Sequence, residues 1–264
     1  MRKEISSNRK ILRSVVLGLA VYGGAYLLSL LVLTCFSEYI KYPEHSIGIL
    51  STFIAGVAAF LTIKSDEKIL LLYNKKAVFA NKPYFLIYVI LLSFALTVVF
   101  NYLYSLIPWQ MLGDKYVVQD NEAFYSIPLT LRIAGYVLIG PFSEEVLFRA
   151  VIFSRFDKLI PVWASVIVGA LFFGIYHGNL MQGSYAFVMG AVMCLTLHYG
   201  GSLLYPLVFH MIANLISNLC FEFKSVNDTI YSLPVIIGCI AYLVVAIIMC
   251  YVFKVRLTKK DKEC

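Results

Sequence analysis

The chain has 264 residues, of which 61% are hydrophobic and only 14% are charged, and its formal net charge is +7. A soluble domain of ordinary composition carries about 25% charged residues. The few charges here also lie in short stretches between long neutral runs, so the composition excludes an ordinary soluble protein.

Eight apolar segments have the length or near-length of a membrane helix, which needs about 20 mostly apolar residues. In chain order the predicted spans are 11–36, 46–63, 84–107, 127–143, 161–177, 184–199, 203–220 and 232–253. The turns after the fifth and sixth spans are short, so these helices are expected to be antiparallel neighbours. The sequence therefore predicts an all-α, polytopic transmembrane bundle of about eight helices.

Lysine and arginine lie mostly on one side of this arrangement. All but four of the 22 basic residues fall in 2–13, in 64–82, in 149–158 or in the tail. The exceptions are Lys41, Lys115, Lys224 and Arg132. The positive-inside rule then places both termini in the cytoplasm. Such basic segments favour anionic lipid headgroups, so the net charge needs no nucleic-acid partner.

Ionisable residues at membrane depth are costly, and each is a functional candidate by default. The candidates are Glu144, Glu145, Arg149, His177, His198, His210 and Arg132, with Asn214 as a neutral companion. We expect Arg132 to snorkel to the outer face. His198 is expected at the cytoplasmic interface, without an assigned role. The loop 64–82 is predicted to form an amphipathic helix on the membrane surface.

The stretch GPFSEEVLFRA, residues 140–150, contains two adjacent glutamates and an arginine. On a continuous helix, Glu145 and Arg149 are one turn apart and can pair. Glu144 is rotated about 100° from Glu145, so it is available to face a cavity and act as a general base. The alternative is a helix end whose charges simply meet the headgroups.

Two further pairs are spaced four residues apart on other spans. Phe173 and His177 lie in FFGIYH, and His210 and Asn214 lie in HMIAN. Polar residues inside membrane helices also act as interhelical hydrogen-bonding groups, which is the structural alternative for both pairs.

Glu144, His177 and His210 fall on three helices and are able to converge on one pocket. A carboxylate, two imidazoles and a carboxamide suit hydrolysis, in which one group activates water and others bind the oxyanion. The alternative is a zinc ion held by Glu144, His177 and His210. There is no HExxH motif, so the sequence requires no cofactor, although zinc is possible.

The ordered motifs EExxxR, FxxxH and HxxxN resemble the CAAX protease and bacteriocin-processing (Abi) family of intramembrane endopeptidases. The resemblance covers about residues 128–220. It implies that Glu144 activates water with help from His177, and that His210 and Asn214 stabilise the oxyanion. It also implies that Glu145 and Arg149, with Phe173, support the site. The predicted organisation is three N-terminal spans in 1–126, a catalytic core in 127–220, and a last span with a basic tail in 221–264.

The resemblance implies a multi-pass protein of the bacterial plasma membrane that cleaves a small peptide or a membrane-anchored protein. In the predicted orientation the site is expected to open from the cytoplasmic half of the membrane. The alternative function is a non-proteolytic immunity or scaffold protein that binds a bacteriocin or its receptor. A proton-coupled transporter is disfavoured, because neither repeated halves nor broken helices are visible in the sequence.

Overall fold

The structure is a computed structural model that describes residues 2–64, 77–79, 82–112 and 127–260. Most of the amphipathic helix predicted in 64–82 falls on residues outside these ranges. Within them the chain is helical and contains no strand. The predicted all-α architecture is confirmed.

Nine helices follow one another in the described ranges. Eight of them are α1 Arg2–Cys35, α2 Pro43–Lys64, α3 Pro83–Ser105, α5 Val162–Tyr176, α6 Leu180–Gly200, α7 Leu204–Glu222, α8 Lys224–Ile230 and α9 Leu233–Lys260. The remaining helix, α4, occupies 129–156. Short 3₁₀ turns at Ser37–Tyr39 and Trp109–Leu112 follow α1 and α3.

The helices are those of a multi-pass membrane protein. In the described ranges, five helices are long and apolar enough to cross a bilayer, and α8 with α9 forms a sixth candidate bent by 52°. The fifth predicted span appears as α5, which is shorter, and the fourth as α4. Large apolar side chains such as Leu27, Ile175 and Ile247 are exposed on the outer faces of the helices, as surfaces in contact with lipid require.

Helix α4 is longer and less regular than the predicted span 127–143. It continues to residue 156 and contains two π-helical segments, Ile133–Ile139 and Glu145–Phe153. The predicted span end at 143 is therefore too early, and the continuous helix on which the pairing of Glu145 with Arg149 depends is present. The charges that interrupt the hydropathy pattern lie in mid-helix, where neighbouring helices bury them.

Helix α2 packs closely against α4. A Cβ atom at Gly56 would collide with the side chain and backbone of Ser143, so only glycine permits this approach. The contact brings α2 against the turn of α4 that precedes Glu144.

Contacts between helix termini define one end of the bundle, here called the basic end. The Phe79 N–H donates to the Tyr199 carbonyl at 2.9 Å, and His198 pairs with Asp157 at 2.9 Å. Arg155 also reaches Ser14 of α1. This end carries Lys10, Arg13, Lys82, Arg155 and Lys158. His198 thus lies at the predicted interface, in an ion pair that the sequence did not indicate.

The opposite end is here called the distal end. His45 and the Tyr136 hydroxyl are 3.0 Å apart, and the Tyr104 hydroxyl donates to Ser184 at 3.1 Å. Asn101 donates to the Tyr231 hydroxyl at 3.0 Å. Under the positive-inside rule the basic end is cytoplasmic, and the distal end is then extracytoplasmic.

Arg132 does not snorkel, contrary to expectation. It is only 2% exposed and forms an ion pair with Glu222 at the end of α7. The guanidinium also lies 5.9 Å from the centre of the Phe221 ring. The pair joins the beginning of α4 to the end of α7, 90 residues away, which local spacing cannot reveal.

Glu222→Gln keeps the side-chain size and removes the carboxylate beside buried Arg132. We expect a lower melting temperature in detergent, by about 2–4 °C for each kcal/mol of pairing free energy lost. The matched control is Lys224→Gln, because Lys224 is an exposed neighbour on α8. Equal melting temperatures for wild type, variant and control would show that the pair contributes nothing to stability.

Candidate active site

A buried carboxylate lies at the centre of the site. Glu145 Oε1 lies 3.0 Å from Arg149 Nη1 and 2.8 Å from His210 Nδ1. The side chains of Glu145 and Arg149 are both 0% exposed. The pairing that the EExxxR spacing predicts is therefore confirmed, and it also includes the histidine of the third motif.

Arg149 is held by two further contacts. Its Nη2 donates to the Gly190 carbonyl of α6 at 3.3 Å, and its guanidinium carbon lies 4.3 Å from the centre of the Phe173 ring. A Cβ at Gly190 would lie 3.0 Å from the Phe173 ring and 3.4 Å from Arg149 Nη2. Glycine thus makes room for the arginine, and Phe173 contributes a cation–π contact.

The hydrogen bond to Glu145 determines how His210 is oriented. A carboxylate paired with arginine only accepts hydrogen bonds, so His210 Nδ1 carries the proton and donates it. The other ring nitrogen, Nε2, then faces Glu144 Oε2 at 3.7 Å. Glu145 therefore orients His210 so that Nε2 faces Glu144, the residue that precedes Glu145 in the sequence.

Glu144 occupies a different environment from Glu145. Its side chain is 17% exposed, and its charge interacts with His210, His177 and Arg149. Tyr22 of α1 and Tyr176 of α5 also lie close enough to interact with it electrostatically. Neither tyrosine could be predicted from the sequence, because neither is a fixed position of a motif and Tyr22 is far away in the chain.

His177 lies just after the end of α5. Its Nδ1 donates to the Phe173 carbonyl, one turn earlier, at 2.8 Å, because a carbonyl can only accept. The imidazole packs edge-on against the Phe173 ring with the centroids 4.9 Å apart. Phe173 therefore orients His177 and contacts Arg149, which explains why the FxxxH pair belongs together.

Asn214 binds to the backbone of α4. Its Nδ2 donates to the Tyr136 carbonyl at 2.7 Å. The preceding π-helical hydrogen bond runs from the Gly140 N–H to the Gly135 carbonyl. In the same pattern, the donor to the Tyr136 carbonyl would be the backbone N–H of residue 141. That residue is Pro141, which has no N–H, and Asn214 takes the place of the missing donor.

A cavity of about 420 Å³ adjoins these residues. The residues that line it are Asn101, Tyr104, Ser105, Phe173, His177, Met181, Gln182, Tyr185, Ala186, Met189, Met193, Phe209, His210, Ala213 and Asn214. The second and third motifs thus face the cavity. Glu144 is not among these residues, and its carboxylate lies beside His210.

The cavity extends from the middle of the bundle to the distal end. It is lined by the last turn of α3 and by the α5–α6 connection, both of which belong to the distal end. In the orientation that the basic residues predict, this end of the cavity points away from the cytoplasm, whereas the sequence predicts an opening from the cytoplasmic half. The sequence also predicts a fourth span that ends at 143, just before Glu144, whereas α4 places Glu144 in mid-helix.

The predicted zinc ligands do not form a metal-binding cluster. In the described ranges, no group of three or more His, Cys, Asp or Glu residues is arranged to hold a metal ion. Glu144 and His210 are adjacent, and His177 stands at the end of α5 with its Nδ1 bonded to the Phe173 carbonyl.

Comparison with known proteins agrees with the motifs. Residues 126–216 match the Rce1-like family of type II CAAX prenyl endopeptidases. This range contains EExxxR, FxxxH and HxxxN. The match agrees with the family resemblance that these motifs carry.

A curated relative is the membrane-embedded CAAX protease MroQ of Staphylococcus aureus (strain USA300). The two chains are 26% identical over 132 residues, which cover 47% of this chain and 53% of MroQ. The chain thus spans about half the length of this relative. No solved structure matches it significantly.

Glu145→Gln and Glu144→Gln are the same substitution at adjacent positions, and we expect only the first to lower stability. Loss of the Glu145 charge leaves Arg149 buried without its carboxylate, which costs about 3–5 kcal/mol. Glu144→Gln removes no such pair and should melt like wild type. Thermal unfolding in detergent measures both, with Arg149→Ala expected to resemble Glu145→Gln. Equal losses for the two glutamate variants would contradict the division of roles.

The hydrogen bond between Asn214 and Tyr136 predicts coupling between Asn214 and Pro141. Asn214→Ala should lower the melting temperature, because the Tyr136 carbonyl loses its donor. In Pro141→Ala/Asn214→Ala the new N–H of residue 141 can replace that donor. The double variant should therefore lose less stability than the sum of the single variants. Simple additivity would show that Asn214 does not replace the missing N–H.

Proposed function

We propose that this chain is an intramembrane endopeptidase that hydrolyses a peptide bond of a small peptide or a membrane-anchored protein. The observation that carries the proposal is the contrast between two adjacent glutamates. Glu145 is fully buried and engaged by Arg149 and His210, whereas Glu144 is partly exposed and beside His210 Nε2. A protein that only binds a partner has no chemical need for this second carboxylate.

In the proposed reaction Glu144 takes a proton from a water molecule, whose oxygen attacks the carbonyl carbon of the substrate. His177 assists through Nε2, because its Nδ1 is bonded to Phe173. The carbon–nitrogen bond then breaks, and Glu144 returns the proton to the leaving amine. General base catalysis of this kind contributes about 10²–10⁴-fold to a rate.

His210 and Asn214 are proposed to stabilise the oxyanion. Asn214 has a second amide hydrogen besides the one given to Tyr136, and this hydrogen must turn into the cavity. His210 must carry a proton on Nε2 as well as on Nδ1, and the nearby Glu144 carboxylate is the group that can exchange one with it. Removal of one oxyanion donor costs about 10²–10³-fold in rate in a well-studied protease.

The proposal uses no metal. The side chains supply a general base, an assisting imidazole and hydrogen-bond donors, and in the described ranges no group of three or more His, Cys, Asp or Glu residues is arranged to hold a metal ion. If this is correct, a chelator added to wild-type membranes leaves hydrolysis unchanged.

Glu144→Gln should abolish proteolysis and leave the amount of folded protein unchanged, because the amide keeps the volume but cannot take a proton. Peptide mass spectrometry of membrane and secreted fractions from the native host would compare wild type with this variant. The matched control is Glu44→Gln, an exposed glutamate at the start of α2. Fragments lost only in Glu144→Gln would support the proposal and name the substrate.

The same strains also test the alternative function, in which the protein binds a partner without cleaving it. Fragment patterns identical in wild type and Glu144→Gln, with bacteriocin immunity retained by both, would overturn the protease proposal in favour of an immunity or scaffold protein. Loss of fragments on chelation alone would overturn the metal-free mechanism.

A further inference from the structure

We infer that the cavity receives its substrate from the extracytoplasmic side, and that the substrate is a neutral peptide segment with an extended apolar side chain. The inference rests on the proposed function and adds the side of access and the substrate class. Its basis is the position of the two ends of the cavity in the bundle.

The cavity begins at the distal end. Tyr104 and Ser105 lie in the last turn of α3, and Met181 and Gln182 lie in the first turn of α6. The Tyr104 hydroxyl donates to Ser184 and joins these two turns. The Trp109 indole N–H donates to the Tyr104 carbonyl at 2.8 Å, which fixes the end of α3 at the rim.

The cavity stops before the basic end. Met193 and Phe209 line its floor and are 1% and 0% exposed. Beyond them Val89, Leu203 and Tyr205 continue the same core cluster. The Phe85 and Tyr205 rings meet edge to face, 4.8 Å between centroids, so packed side chains separate the cavity from the cytoplasmic surface.

The distribution of basic residues indicates on which side of the membrane the distal end lies. The basic residues concentrate at the other end, and Arg132, which lies at the distal end, is paired with Glu222. Positive charge is retained on the cytoplasmic side of membrane proteins. The rim at Ser105 and Gln182 therefore faces outwards.

The lining determines which substrate fits. None of the described residues that line the cavity is Lys, Arg, Asp or Glu, and three of them are methionines. Methionine is flexible and polarisable, and it adapts to apolar groups of varied shape. A charged side chain would find no Lys, Arg, Asp or Glu counter-ion among these residues, and its burial costs on the order of several kcal/mol. An exported peptide, or the outer segment of a membrane protein, that places an apolar side chain between α3 and α6 meets these conditions.

Cysteine labelling tests the side of access without reference to activity. In a background whose native cysteines are replaced by alanine, Ser105→Cys places a thiol on the rim and Lys158→Cys places one at the basic end. A membrane-impermeant maleimide added to intact cells should label residue 105, and residue 158 only after permeabilisation. The reverse pattern would overturn the inference.

A second measurement links access to hydrolysis. After a bulky impermeant maleimide reacts with Ser105→Cys on intact cells, the substrate fragments should fall to the level seen in Glu144→Gln. The control is Glu38→Cys, an exposed position between α1 and α2, where labelling should change nothing. Labelling at 105 with undiminished fragments would overturn outward access, whereas absent fragments in unlabelled wild type would instead overturn the proposed function.

To test the substrate class, the cavity-facing residue of the identified substrate is replaced by aspartate. Cleavage should be lost, and replacement by leucine or methionine should preserve it. Equal cleavage of all these substrates would contradict the neutral, apolar class.

Discussion

The Glu145 carboxylate is the group on which the arrangement of the site depends. Burial of an ionised side chain away from water inside a membrane protein costs free energy unless a counter-ion and hydrogen bonds compensate its charge. Glu145 meets this requirement with groups from two helices, Arg149 on its own helix and His210 on α7. Arg149 in turn needs Gly190 of α6 and the ring of Phe173 on α5. One buried charge therefore fixes the relative positions of four helices.

This constraint explains why two identical residues side by side can have different roles. The helix directs Glu145 into the packed interior and turns Glu144 towards the imidazoles. The π-helical segments of α4 support the arrangement, since they widen the helix and change its hydrogen bonding. The carbonyl of Tyr136 is satisfied by Asn214, and that of Ala150 by Ser154 and Arg155. Irregular backbone at membrane depth is tolerated where neighbouring groups satisfy it in this way.

Some of this could be predicted from the sequence because it depends on local spacing. The pairing of Glu145 with Arg149 follows from four-residue periodicity, and the packing of α5 against α6 follows from the short turn between them. Hydropathy and basic residues indicate membrane helices and their predicted orientation. The three motifs indicated the family that the chain resembles, and they contain the charged residues at the centre of the site.

Other features depend on the three-dimensional packing. The Arg132–Glu222 pair and the approach of Tyr22 to Glu144 join residues far apart in the chain. Hydropathy falls at Glu144 and so predicts a fourth span that ends at 143, although the ion pair allows the helix to continue. The replacement of the missing Pro141 N–H by Asn214 requires knowledge of the π-helical backbone.

The most direct test of the account concerns the proton on His210. Nitrogen-15 NMR of histidine-labelled protein in lipid nanodiscs distinguishes protonated from unprotonated ring nitrogens, and His210→Gln assigns the signal among the four histidines. If Glu145 holds His210 as described, Nδ1 carries a proton in wild type, and the signature of this hydrogen bond disappears in Glu145→Gln. An unprotonated Nδ1 in wild type, or a signal unchanged by Glu145→Gln, would contradict the claim that Glu145 presents His210 to Glu144.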